Sequence, residues 1–96
     1  MSLELSHNAA LTRYEAQQDG ILAGFAEYQL SADLIVITHT EVKPAFEGQG
    51  VGSAVTRFAL DDIRANRPEL KVLPLCPFTK GWIQRHPEYA DLVYGA

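Results

Sequence analysis

At Lys43-Pro44 the chain changes its hydrophobic period, and that change constrains the fold more than any other feature. Before it, apolar residues alternate or run in short β-branched blocks. After it, they recur every three to four positions. Proline cannot continue a central ladder, so a strand ends here. The two regimes are joined by Glu47-Gly-Gln-Gly-Val-Gly-Ser53, in which Gly48, Gly50 and Gly52 alternate. A β-rich half must therefore hand over to a helix through a glycine-rich loop.

The strands follow from local pattern. Leu11 to Gln17 alternates, and Asp19-Gly20 is a turn dipeptide. Ile21 to Leu30 alternates again, Ser31-Ala32-Asp33 turns, and Leu34 to Val42 is dense in β-branched residues. Three strands joined by tight turns predict an antiparallel meander. From Val51 onward, Val55, Phe58, Ala59 and Ile63 share one helical face, with Arg57, Asp61, Arg64 and Arg67 mostly opposite. Asn66 to Pro68 ends that helix, because the residue before proline avoids the α region. Leu70 to Cys76 reads as a short strand and Thr79 to Arg85 as a helix. Beyond His86-Pro87, Glu88 to Tyr94 reads as a short turn or helix. The order β-β-β-α-β-α predicts a mixed α/β fold with a parallel crossover in a mixed sheet. With 96 residues, a single domain over residues 1–96 is expected.

Charge and composition remove several function classes. The net charge is −4 and the 8 Lys and Arg are scattered, which argues against a nucleic-acid partner. No apolar run reaches the ~18 residues of a membrane span. The N-terminus lacks the basic-then-apolar layout of a signal peptide. Cys76 is the single cysteine, so no internal disulfide forms and a cytoplasmic location is expected. The histidines and Cys76 lack metal-ligand spacing, so no metal is expected.

The glycine-rich loop is the chemical signal. It offers backbone N–H groups from Gly48 to Ser53, at a helix start whose first-turn amides are unpaired and whose dipole attracts anions. A diphosphate is the natural guest. A Walker loop requires Gly-Lys-Ser/Thr, and Val51-Gly52-Ser53 supplies no lysine. Gly48, Gly50 and Ser53 nearly match a dinucleotide fingerprint, but that motif opens a larger parallel domain, and here it follows a meander.

Val42-Lys-Pro-Ala-Phe-Glu-Gly-Gln-Gly-Val-Gly-Ser53 resembles the acetyl-CoA-binding motif of the GNAT acetyltransferase superfamily. That motif reads Val-x-Pro-x-x-Arg/Gln-x-x-Gly-x-Gly/Ala, and Glu47 stands here in the Arg/Gln place. Together with His39-Thr-Glu-Val42, Leu75-Cys-Pro-Phe78 and Arg85-His-Pro-Glu-Tyr89, the chain is similar to the small, single-domain GNAT-like family. The resemblance implies a reduced GNAT-like fold and an N-acetyltransferase that takes acetyl-CoA and a primary amine. It implies coenzyme A binding by Val42, Gly48, Gln49, Gly50, Val51, Gly52 and Ser53, with Pro77 and Phe78 beside them. It also implies His39 and Cys76 as active-site residues.

The residue chemistry leaves roles open. His39 is a general base or a strand histidine tied by one hydrogen bond. Glu41, on the same face, orients His39, replaces it as base, or is solvated. Cys76 takes the acetyl group, protonates the leaving thiolate, or packs. Phe78, Trp82 and Ile83 are expected on the sheet, with Phe78 also a candidate to touch the pantetheine. Lys80 and Arg85 are candidates for the 3′-phosphate or plain solvated charges, and His86 is expected to be structural. The tight turns leave no room for helices over the acceptor side. An open groove for a protein, peptide or polyamine is therefore expected. The alternative is a non-catalytic acyl-CoA-binding or sensing module. A monomer or weak dimer is expected, because an exposed first strand is a pairing edge.

Overall fold

The computed structural model describes residues 3–95. Five strands, β1 (Glu4–Asn8), β2 (Arg13–Gln18), β3 (Ile21–Ser31), β4 (Leu34–Val42) and β5 (Lys71–Pro74), form one sheet in sequence order. The first four pair antiparallel, and β5 runs parallel to β4. Helix α1 (Val51–Asn66) makes the parallel crossover, and α2 (Pro77–Arg85) follows β5. Short 3₁₀ turns cover Ala9–Leu11, Pro44–Phe46 and Pro87–Leu92. Among the described residues, no helix is long and apolar enough to cross a membrane.

The meander has four strands, not three. β1 escapes a hydrophobicity pattern because only Leu5 and His7 turn inward from its five residues. His7 does the work of an apolar residue. Its ring stacks on Tyr14 with centroids 4.3 Å apart, and its Nε2 lies 2.6 Å from the Tyr28 hydroxyl. The Tyr14 hydroxyl donates to Asp62 Oδ2 at 2.7 Å, which ties this edge of the sheet to α1.

Both helices lie on one face of the sheet. Tyr14, Ala26, Ile35, Ile37 and Val72 from the strands meet Val51, Val55, Ala59 and Ile63 of α1 and Trp82 and Ile83 of α2 in one core. The alternate strand positions, among them Glu15, Phe25 and Glu41, belong to the opposite face, which carries no helix among the described residues. Phe25 is shielded there by the Arg13 guanidinium, 4.7 Å from its ring centroid, by Lys43 and by the edge of His39.

Gly24 sets the seat of α1. A Cβ at this position would lie 2.8 Å from the Glu41 carbonyl oxygen and 2.8 Å from Val51 Cγ1. The first turn of α1 therefore rests on bare β3 backbone. Gly24→Val should push that turn off the sheet and destabilise the fold by about 1–3 kcal/mol, as overpacking does. Chemical denaturation measures this, and an unchanged midpoint would mean that the helix start rests elsewhere.

A bulge in β4 decides which side chains face which way. Glu27 pairs with His39, yet the next residue, Tyr28, pairs with Ile37, so Thr38 is the extra residue. One inserted residue reverses the alternation beyond it. Ile35 and Ile37 face the core, and past the bulge Thr40 and Val42 continue that face. His39 and Glu41 are thereby delivered to the helix-free face.

Candidate active site

The bulge and the end of β5 together open a seam. The β4–β5 pairing stops at Ile37 and Pro74, where the amides of Leu75 and Cys76 both donate to the Ile37 carbonyl. Beyond that point β5 leaves for α2. On the other side of β4, the Lys43 amide donates to the Ala23 carbonyl, and antiparallel pairs alternate between bonded and non-bonded. Gly24–Val42 and Ala26–Thr40 are therefore non-bonded pairs. The peptide groups of Thr40 and Val42 turn away from β3 and toward the widening seam.

Where the seam meets the glycine-rich loop lies a cleft of about 470 Å³. Its loop wall carries Gly48, Gly50, Val51, Gly52 and Ser53, and Val42 closes the strand end. Gly48 and Gly50 sit at φ +81° and +78°, a region that favours glycine. The first bond inside α1 runs from the Ala54 amide to the Gly50 carbonyl, so the amides of Val51, Gly52 and Ser53 are left for a ligand. The facing wall is α2. Phe78 is 40% exposed and lines the cleft, the second of the two places expected for it. A Cβ on Gly52 would lie 2.8 Å from its ring, so only glycine lets the ring close this wall. Trp82 and Ile83 join the core as expected.

The cleft offers an anionic ligand two polar walls beside an apolar lining of Val42, Phe46, Val51 and Phe78. Helix-start amides line one wall, and Arg85 and His86 line the other. Glu47 is the contrary element, a carboxylate on the same rim. Gln49, Pro77 and Lys80 are exposed and lie outside the lining. Phe46, Trp82 and His86 are cleft residues that the sequence reading did not assign to the ligand.

Cys76 and His39 flank the seam from opposite sides. Cys76 caps α2 and is buried, with Sγ 3.6 Å from Thr40 Oγ1. Thr40 Oγ1 also lies 3.3 Å from Thr79 Oγ1. Burial pushes the thiol pKa up, but the amides of Thr79 and Phe78 and the hydroxyls of Thr40 and Thr79 outweigh it and hold it below the usual value. His39 is exposed on the helix-free face, where its Nε2 lies 3.4 Å from Glu41 Oε1. Glu41 is also held by Lys43 Nζ at 2.7 Å. These Lys43 and His39 contacts keep its carboxyl below the ordinary carboxylate range. The structure thus joins His39 to Glu41 and Cys76 to Thr40, but not His39 to Cys76.

The model of the GCN5-related N-acetyl-transferase family matches residues 13–92. The chain belongs to this family. As an acetyltransferase domain it is similar over most of its length to a GCN5-like protein from Staphylococcus aureus, solved by NMR. That likeness has a TM-score of 0.73 and 24% identity, and covers 98% of this chain and 90% of the other. It is also similar in fold to a GNAT-family protein from Desulfovibrio desulfuricans (TM-score 0.54, 19% identity, 81% and 52% covered). A third likeness is to the ribosomal-protein-alanine N-acetyltransferase of Brucella melitensis (TM-score 0.55, 19% identity, 88% and 64% covered). No curated protein matches the chain. Acetyl-CoA is the donor that the family implies for this acetyltransferase.

Proposed function

We propose that this acetyltransferase moves acetyl from acetyl-CoA to a primary amine on a protein, peptide or polyamine, which approaches the helix-free face of the sheet. The observation that carries the reading is the seam beyond Ile37 and Pro74. It adjoins the cleft on the helix side and His39 with Glu41 on the other.

Bound acetyl-CoA supplies the activated acetyl thioester. The amides of Val51, Gly52 and Ser53, with the α1 dipole behind them, hold its diphosphate. The Val42 N–H, turned toward the seam, orients the pantetheine or the thioester carbonyl. The acceptor amine must lose a proton before it attacks. His39 directs Nε2–H toward Glu41, so its Nδ1 holds the lone pair that takes that proton. Cys76, on the helix side, is a proton source for the departing sulfur. Its lowered pKa suits proton donation and thiolate attack alike; the proton-source role is the one proposed because, among the described residues, its side-chain partners are the hydroxyls of Thr40 and Thr79 and not a base.

The test is release of free thiol from acetyl-CoA with a panel of lysine peptides, free-N-terminus peptides and polyamines. Release that depends on one acceptor class supports transfer. Acetyl-CoA binding with no amine-dependent release would make the chain an acyl-CoA-binding module instead.

A further inference from the structure

Trp82 is the centre of a fixed unit on the α2 wall of the cleft. Its indole N–H donates to Ser53 Oγ at 2.8 Å, and its carbonyl accepts the Nδ1–H of His86 at 2.8 Å. The His86 ring stacks on the indole, with centroids 3.8 Å apart and planes 16° from parallel. Trp82 is 1% exposed, so its ring does not turn without disturbing the core, and the stack and the Nδ1–H bond hold the His86 ring against it. Donation from Nδ1 fixes the tautomer. Neutral His86 carries its lone pair on Nε2, and protonated His86 gains a second N–H there. Nε2 is the nitrogen left for a ligand in the cleft that His86 lines.

We propose that His86 Nε2 contacts a phosphate of bound coenzyme A, and that protonation of His86 couples ligand affinity to pH. The proposal rests on the reading of the cleft as the coenzyme A site. The charged and titratable groups around the unit are Arg85 beside His86, Glu47 on the loop rim, Arg57 5.2 Å from the indole centroid, its neighbour Glu88, and Tyr89 tilted against Trp82. Carboxylates, guanidiniums and phenols keep one charge state between about pH 6 and 8, whereas imidazole titrates there. A phosphate beside Nε2 favours the protonated ring, and by linkage the protonated ring favours phosphate.

Trp82 is the single tryptophan and is one of the residues lining the cleft, so its emission should report ligand binding. Kd for coenzyme A and for 3′-dephospho-coenzyme A is measured by this signal from about pH 5.5 to 8.5, while NMR follows the His86 ring protons with and without ligand. Saturating ligand should raise the His86 titration midpoint by about one unit, and affinity should approach a tenfold gain toward the acid end. His86→Gln should remove that gain and leave only the ligand's own titration. The 3′-phosphate takes its own second proton near pH 6, so the dephospho ligand removes that background. A His86 midpoint still raised by the dephospho ligand assigns the diphosphate, and a midpoint raised only by coenzyme A assigns the 3′-phosphate. A His86 midpoint unmoved by saturating coenzyme A overturns the proposal, even if His86→Gln fails to fold. Wild-type protein that binds no coenzyme A at any pH overturns the site reading and the proposal with it.

Discussion

Acetyl-CoA at 100 times its Kd should stabilise the wild-type protein by ~2.7 kcal/mol and raise its melting temperature by about 10–20 °C. ATP and NAD at the same concentration should not. Gly50→Val should abolish the shift. Gly50 holds φ +78° at the entry to α1, and a β-branched residue is strained there. The loop must then turn its peptides, and the amides of Val51 and Gly52 no longer converge on one anion. The cost to the ligand-free fold should be only about 1–2 kcal/mol, because nothing lies within 4 Å of the added Cβ. Folded Gly50→Val with an unchanged Kd would remove the loop from the coenzyme A site.

The second large effect concerns proton transfer. His39→Gln should lower kcat by about 10²–10⁴-fold at neutral pH, the usual contribution of a general base. The acetyl-CoA melting shift should stay, since His39 lies on the face away from the cleft. Glu41→Gln should give a smaller loss, because Glu41 acts by holding Nε2. A His39→Gln kcat within twofold of wild type would sink the assignment. Cys76→Ser supplies the contrast: loss of kcat with intact acetyl-CoA binding supports the proton-source role, and retained kcat leaves Cys76 as a packing residue.

Much of this architecture was legible in the residues. The period change at Lys43-Pro44, the β-branched run of β4 and the α1 face from Val51 to Ile63 are local signals. They predicted the meander, the crossover and the loop that lines the cleft. β1 was not legible, because Leu5 is its one inward apolar residue and His7 packs through its ring. The bulge at Thr38 left no mark either. Strict alternation from Ile35 would put His39 and Glu41 in the core, and pairing with β3 reverses this. In the residues Phe78 could serve the sheet or the ligand, and only Gly52, far away in sequence, settles its ring on the cleft wall. Trp82 and His86 reach the cleft through the same long-range docking of α2 on the loop. Their i, i+4 spacing at the end of α2 shows only that they share a side.

The bare side of the sheet has a kinetic consequence. If both helices crowd one face, a donor and an acceptor need not pass through the same doorway. Each can arrive and depart without waiting for the other to vacate. In the proposed reaction this favours a complex in which both reactants are present together. Initial-rate lines at varied acceptor concentration should then intersect rather than run parallel. Spent coenzyme A can leave on the helix side while the modified chain is still in contact on the other. In that reading a large acceptor is no obstacle to turnover, since among the described residues no helix covers the face proposed to receive it.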